Sequence, residues 1–199
     1  MNRHGKQLAW TVILAVAAAL AQTGAIAPAL LARANGGDAS AQVLVGDDYA
    51  ASGGVELSSQ QIAEDYQQAA AWYRKAAEQN DVAGQMRLAA LYRDGRGVAR
   101  DMAEAAAWYR KAAEQNDVAA QATLGLLYSI GQGVPHSDVE AYYWFDLAAS
   151  VKGPRQEQYA ANRQMIGTHI TAEELAEVKE RVANWLAAHP TPPARTTVR

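Results

Sequence analysis

A repeat of 36 residues is the feature that most constrains the fold of this chain. Three tryptophans, Trp72, Trp108 and Trp144, lie 36 residues apart, and residues 69–83 recur letter for letter as residues 105–119. A period of about 20 to 50 residues is typical of solenoids, whose units bury their apolar faces against one another. The sequence therefore predicts stacked supersecondary units, an architecture that serves mainly as a binding platform.

Each unit is predicted to contain two helices, A and then B. Helix A of the second unit has apolar residues at the i, i+3, i+4 spacing of an amphipathic helix: Leu88, Leu91 and Tyr92. Two closely spaced glycines, Gly95 and Gly97, can adopt the positive φ that ends a helix and reverses the chain. Asp101 is a favourable N-cap for helix B, with Glu104 three residues later. Helix B is expected to bury Trp108 beside small alanines.

The pattern extends to one more clear unit and to one eroded unit. The third unit has Ser137 as N-cap and Glu140 as its capping-box partner. Residues 37–55 align with residues 80–98 without a gap, which recovers a first, degenerate unit. Seven extra residues then precede its tryptophan, close to two helical turns. Helix B of this unit is therefore predicted to be longer and to begin near Ser58.

Two further helices are predicted after the period ends. A short helix covers 155–166, and an amphipathic helix begins at a capping box of Thr171 and Glu174 and stops before Pro190. The second helix is expected to cover the apolar end of the last repeat, which has no following unit. The predicted organisation is a leader at 1–34, a degenerate repeat at 35–80, clear repeats at 81–116 and 117–152, capping helices at 153–189 and a disordered tail at 190–199.

The combined pattern, L-[AG]-x-L-Y-x-x-G-x-G-V and then A-x-x-W-[YF]-x-x-A-A, resembles the Sel-one-like repeat, a relative of the tetratricopeptide repeat. The resemblance covers about residues 37–152. It implies an all-α fold, a short right-handed α-solenoid of stacked helix-turn-helix repeats with a C-terminal capping helix. It also implies an adaptor or scaffold role, often in bacterial envelopes. Cysteine-rich relatives linked to β-lactam binding carry a disulfide in each repeat, and this chain has no cysteine, so that implication is not carried over.

The first residues have the pattern of a secretory signal. Arg3 and Lys6 precede an apolar run at 8–21 that is too short to span a bilayer by itself. Small-x-small motifs place the predicted cleavage site after Ala34, with cleavage after Ala21 as the alternative. The expected location is the periplasm or the medium. The alternative is an inner-membrane anchor formed by an uncleaved N-terminal helix.

Charge and cysteine content narrow the class of partner. The predicted leader holds three of the 18 Lys and Arg residues, which leaves 15 basic against 21 acidic residues, a net charge of −6. Nucleic-acid binding requires a basic surface, so a protein or peptide partner is favoured and nucleic acid is not. Without cysteine, stability must come from packing alone. The mature chain is expected to be a monomer without a cofactor.

Residues that suggest catalysis or metal binding have simpler structural roles. His136, Ser137 and Asp138 contain the letters of a hydrolase triad, but adjacent residues cannot form a relay that is assembled across a fold. His169 has no second histidine or cysteine near it in the sequence, so no metal ligand set is predicted. The paired glycines lack the spacing of a phosphate-binding loop. No catalytic, cofactor-binding or metal-binding residue is predicted.

The near-identical repeats differ mainly on helix A. The differing pairs are Met86/Ala122, Arg87/Thr123, Ala90/Leu126, Arg93/Ser129 and Asp94/Ile130. In tetratricopeptide-like solenoids helix A lines the concave face, so the resemblance places four of these residues toward a partner groove: Arg87, Arg93, Thr123 and Ser129. The alternative is sequence drift on a solvated face.

The sequence therefore predicts a non-catalytic protein- or peptide-binding adaptor or scaffold of the bacterial cell envelope. The alternative function is an envelope hydrolase that acts on peptidoglycan or a β-lactam-like substrate. Such an enzyme would need a nucleophile and a base in one cleft, and the sequence offers no convincing pair.

Overall fold

The computed structural model describes residues 26–51 and 58–189, which form nine helices and no strand. The helices are α1 (Pro28–Asn35), α2 (Ala39–Ala51), α3 (Ser59–Glu78), α4 (Val82–Asp94), α5 (Met102–Glu114), α6 (Val118–Ile130), α7 (Asp138–Ser150), α8 (Gln156–Ile166) and α9 (Ala172–Ala188). The predicted all-α fold is thus confirmed. The apolar run at 8–21 and the tail at 190–199 lie outside the described residues.

The chain divides into two compact units, Met1–Ala99 and Arg100–Arg199. In the first unit, α1 packs on α2, α2 on α3 and α3 on α4; in the second, α5 packs on α6, α6 on α7 and α7 on α8. Helices that are consecutive in the sequence therefore pack on each other, as the helix-pair repeat predicts. The last helix, α9, packs on α7 and forms the C-terminal cap of the second unit.

Except at α1 and α8, the helices begin where a side chain accepts an unpaired backbone N–H group of the first turn. Ser58, Asp101 and Ser137 each accept an N–H bond from two or three residues later. At α9, the Thr171 hydroxyl accepts from the Glu174 N–H, and the Glu174 carboxylate accepts from the Thr171 N–H at 2.8 Å. The longer helix B of the first repeat is confirmed, since α3 has 20 residues against 13 in α5 and α7.

The tryptophans of helix B are not equally buried. Trp72 and Trp144 are buried, as predicted, but Trp108 is only half-buried. The Lys111 ammonium lies 3.9 Å from the centroid of the Trp108 ring, and Lys75 stacks on Trp72 in the same way. A hydrated ammonium on the ring face is compatible with a site that is only partly withdrawn from water. The prediction that helix B buries Trp108 was therefore wrong in part.

A polar pair links each helix B to the next helix A at equivalent positions. Arg74 on α3 donates to the Tyr92 hydroxyl on α4, and Arg110 on α5 donates to the Tyr128 hydroxyl on α6. Between α7 and α8 the arginine lies on the second helix instead of the first: Arg163 on α8 donates to Asp146 on α7 at 2.6 Å. The short helix α8 thus takes the place of a further helix A.

The capping helix closes on the third repeat through aromatic side chains. The Trp185 ring on α9 meets the Trp144 ring edge to face with centroids 6.4 Å apart, and its other neighbour is the stacked His189 ring. The Trp185 Nε1–H donates to the Asn116 side-chain oxygen at 3.3 Å. Arg181 adds an ion pair with Glu140 at 2.8 Å.

The second glycine of each loop allows close backbone contact with helix B of the preceding repeat. Gly97 has φ 67°, and a Cβ there would lie 2.2 Å from the Tyr66 carbonyl carbon. Gly133 has φ 72°, and a Cβ there would lie 1.9 Å from the Met102 carbonyl oxygen. The first glycine of the third loop, Gly131, has φ 66° but would place its Cβ 3.3 Å from its nearest neighbour. In this loop both glycines have a positive φ, but only at the second glycine, Gly133, is there no room for a side chain.

The substitution Gly133→Ala is expected to destabilise the chain far more than Gly131→Ala. Both place a Cβ on left-handed backbone, which costs about 1 kcal/mol. Gly133→Ala adds an overlap with Met102 that only a backbone shift can relieve, so we expect a total loss of about 3 kcal/mol. Guanidinium unfolding followed by circular dichroism measures the loss of unfolding free energy in each of the two variants. Equal losses in the two variants would contradict the close-contact role of Gly133.

Candidate binding surfaces

The structure places the four predicted partner-binding residues on two helices. Arg87 and Arg93 lie on α4 in the first unit, and Thr123 and Ser129 lie on α6 in the second. The two arginines are exposed, whereas the two hydroxyl side chains are half-buried. Each pair lies on the surface of its own unit, beside the neighbours of its own helix.

In the first unit, Arg87 belongs to a polar cluster centred on Asp47 of α2. The Tyr73 hydroxyl donates to Asp47 Oδ1 at 2.7 Å, and the Arg87 Nε–H lies 3.0 Å from the same oxygen. These residues line a cavity of about 330 Å³ between α2, α3 and α4. Burial, and then the bond to Asp47, raise the pKa of the Tyr73 phenol. The cluster therefore holds a neutral phenol and a balanced ion pair at neutral pH.

Sequence reasoning missed Asp47 and Tyr73 as members of this surface. Asp47 stands where the second repeat has Ala90 and the third has Leu126. An acidic residue at a position that is apolar in the other repeats was the available signal. Tyr73 carried no such signal, because Tyr109 occupies the same position in the next repeat.

Arg93 makes a local ion pair at the end of α4. Its Nε lies 2.7 Å from the carboxylate of the adjacent Asp94, which also lines the cavity of about 330 Å³. In the loop that follows, Arg96 donates to the Tyr66 hydroxyl at 3.1 Å. The first surface is thus rich in charged groups that are already paired with one another.

In the second unit, the face of α6 is apolar. The Thr123 hydroxyl donates to the Ala119 carbonyl at 2.8 Å, and the Ser129 hydroxyl donates to the Leu126 carbonyl at 2.9 Å. Both hydroxyl hydrogens are therefore used within the helix. Leu126 and Ile130, one turn apart, are 50% and 51% exposed. These two side chains, and not the hydroxyls, are the most prominent groups that α6 presents to a partner.

A cavity of about 240 Å³ lies beside Leu126, between α6, α7 and α8. One wall is apolar and contains Leu126 and Phe145; the other wall, on α8, is polar and contains Arg155, Gln158 and Asn162. A second cavity of about 280 Å³ shares Arg155 with the first. Within the part of the chain that the structure describes, the Arg155 guanidinium has no ion-pair partner.

The residues with the letters of a triad are arranged as a helix start. The Ser137 hydroxyl accepts the Glu140 N–H as an N-cap. Asp138 lies 3.4 Å from His136 Nε2 and 3.6 Å from His169 Nδ1. The fold thus brings His169 close to the residues around His136, which its isolation in the sequence did not predict. Among residues 26–51 and 58–189, no three His, Cys, Asp or Glu side chains are placed to hold a metal ion.

The free energy of unfolding is expected to fall as pH rises above about 10, the ordinary pKa of tyrosine. Above that pH the folded chain keeps a proton on Tyr73, because the pKa of its phenol is raised, while the unfolded chain releases it. The stabilisation is complete below the ordinary pKa and is lost as pH rises through the raised one. The difference of one bound proton lowers the free energy of unfolding by at most about 1.4 kcal/mol for each pH unit.

Urea unfolding between about pH 8 and about pH 11 measures this dependence. Tyr73→Phe should make the fall with pH shallower than in the wild type. Identical slopes in the two proteins would contradict the role given to Tyr73.

No helix in the described ranges is both long enough and apolar enough to cross a membrane.

Comparison with known proteins identifies the repeat. The Sel1 repeat model matches residues 39–81, 82–117 and 118–150. A comparison with curated proteins gives no match. One similar structure is that of c5321, a protective antigen of uropathogenic Escherichia coli strains that has an SLR fold. The two chains are 27% identical, with a TM-score of 0.57, and the match covers 77% of this chain. This chain spans only 39% of the length of c5321.

The crystal structure of a Sel1 repeat protein from Oxalobacter formigenes is similar at 35% identity and a TM-score of 0.54. That match covers 61% of this chain and 87% of the other. The fold is thus that of Sel1 repeat solenoids, which are generally non-catalytic scaffolds for protein interaction. Because the three matched ranges make up more than half of the 199 residues, this chain belongs to the Sel1 repeat family.

Proposed function

We propose that this protein is a non-catalytic, monomeric adaptor of the bacterial cell envelope that holds a segment of a partner protein on the face of α6. The observation that carries the proposal is the pair of half-exposed side chains, Leu126 and Ile130, beside a cavity with one apolar and one polar wall. The envelope location is supported by the basic residues and apolar run at the N-terminus.

The geometry suits a peptide side chain better than a small-molecule ligand. A single exposed leucine is ordinary on a protein surface. Two large apolar side chains at i and i+4 form a continuous stripe on one helix face, and here the stripe runs beside a concavity. The cavity volume of about 240 Å³ lies below the range of about 300–1,000 Å³ that is typical of small-molecule sites.

The polar wall indicates the chemistry of the partner segment. A guanidinium without an ion-pair partner binds carboxylates through paired N–H donors, and Arg155 stands at the junction of the two cavities. Gln158 and Asn162 add amide groups that can bond to an extended backbone. The surface therefore fits a segment with an apolar side chain next to a carboxylate.

The α6 surface is tested by affinity capture from a bacterial envelope extract with mass spectrometry of the bound proteins. Leu126→Asp should reduce recovery of the partner at least about tenfold, the equivalent of about 1.4 kcal/mol, because it places a charge on the apolar wall. Leu44→Asp is the matched control, since Leu44 is 51% exposed on helix A of the first repeat. It should leave recovery unchanged.

Equal recovery with both variants would contradict the assignment of α6. Turnover of peptidoglycan or of a β-lactam by the purified protein, abolished by one substitution, would contradict the adaptor role itself.

The α4 surface is tested separately by charge reversal. The double variant Arg87→Glu, Arg93→Glu breaks the ion pairs with Asp47 and Asp94 and should lower partner recovery by about threefold to tenfold, as expected for rim charges. Lys179→Glu, an exposed position on α9, is the control for the effect of a single charge reversal, which is half of the change in net charge of the double variant. Unchanged recovery in the double variant would contradict a role of the α4 surface in partner binding.

A further inference from the structure

The turn between α1 and α2 has the same design as the two later turns that join a helix B to the next helix A. Gly37, Asn80 and Asn116 occupy equivalent positions, and all have positive φ, at 94°, 62° and 67°. The next residue is an aspartate in each case. Each aspartate accepts a hydrogen bond from the N–H three residues later, at 2.9 Å for Asp38, 2.8 Å for Asp81 and 2.7 Å for Asp117.

A buried glutamine completes each of the three turns. The side-chain amide of Gln42 donates to the Ala34 carbonyl at 3.0 Å. The two equivalent bonds, both 3.3 Å long, run from Gln85 to Ala77 and from Gln121 to Ala113. Ala77 lies in the last turn of helix B of the first repeat. Ala34 occupies the same place at the end of α1.

The remaining contacts of α1 are those of a packed helix. Ala34 is 1% exposed and forms one cluster with Ala41, Val45 and Trp72. The partly buried side chains of Leu30 and Leu31 pack against this cluster. Removing α1 would take away the carbonyl partner of the Gln42 amide and would expose the apolar side chains of this cluster to water, which is unfavourable.

We infer that α1 is the surviving half of a helix B from an additional N-terminal repeat, and that it belongs to the mature protein. This inference rests on the proposed export of the chain and prefers the alternative cleavage site, after Ala21, to the site after Ala34. Of the small-x-small motifs, one ends at Ala34 inside the packed cluster. Another, Ala25-Ile26-Ala27, is followed by Pro28, a residue that signal peptidases generally reject directly after the cleavage site. Cleavage after Ala21 removes the leader and keeps α1 whole.

The first test is the intact mass of the full chain after export into the periplasm of a Gram-negative host. Cleavage after Ala21 gives a protein that begins at Gln22. A first residue of Asn35 would overturn the inference. A first residue of Met1 would keep α1 in the protein but overturn cleavage after Ala21, and the cell fraction that holds this protein shows whether the proposed export failed with it.

The second test uses two variants of the full chain, Leu31→Asp and Ala29→Asp, purified after export. Leu31 packs against the cluster, whereas Ala29 is exposed, and neither residue belongs to the small-x-small motif that ends at Ala34. If α1 is retained, Leu31→Asp lowers the Tm by at least about 4 °C, and Ala29→Asp leaves it nearly unchanged. If the mature protein begins after Ala34, both products have the mass and Tm of the wild type, which overturns the inference.

Discussion

The joint between each helix B and the following helix A is the constraint on which both candidate surfaces depend. A residue with positive φ reverses the chain, an aspartate caps the new helix, and a buried glutamine bonds to a carbonyl eight residues earlier. Because a buried amide group needs its partner, the start of helix A is fixed relative to the end of the helix before it. The surfaces on α4 and α6 begin one turn beyond such joints, so their positions are determined by the joints.

Local chemistry made much of the fold predictable from the sequence. N-caps such as Ser58 and Thr171, the paired glycines and the longer helix B of the first repeat all follow from interactions within a few residues of the chain. The same holds for the capping helix, whose apolar stripe was readable from its spacing. Where the prediction was wrong in part, as at Trp108, the sequence repeat was intact but the surroundings of the ring were not those of Trp72.

The candidate sites were less predictable because they depend on contacts between residues far apart in the sequence. Asp47 meets Arg87 across 40 residues, and a period of 36 does not encode a pairing that occurs in one repeat only. Thr123 and Ser129 differ between repeats, as noted from the sequence, yet their hydroxyl hydrogens bond within α6. The comparison of repeats therefore pointed to α6 but not to the most exposed groups of that helix, since exposure depends on which side chains the neighbouring helices cover.

The closure of Trp185 over Trp144 bears on how such an array can change in length during evolution. An extra unit placed after α7 would have to displace an aromatic lid that also bonds to Asn116 of the preceding joint. The identical fifteen-residue segments at 69–83 and 105–119 supply interchangeable joints, so a unit inserted between them leaves the lid in place. Growth of this chain is thus favoured from the inside, with the C-terminal end held constant.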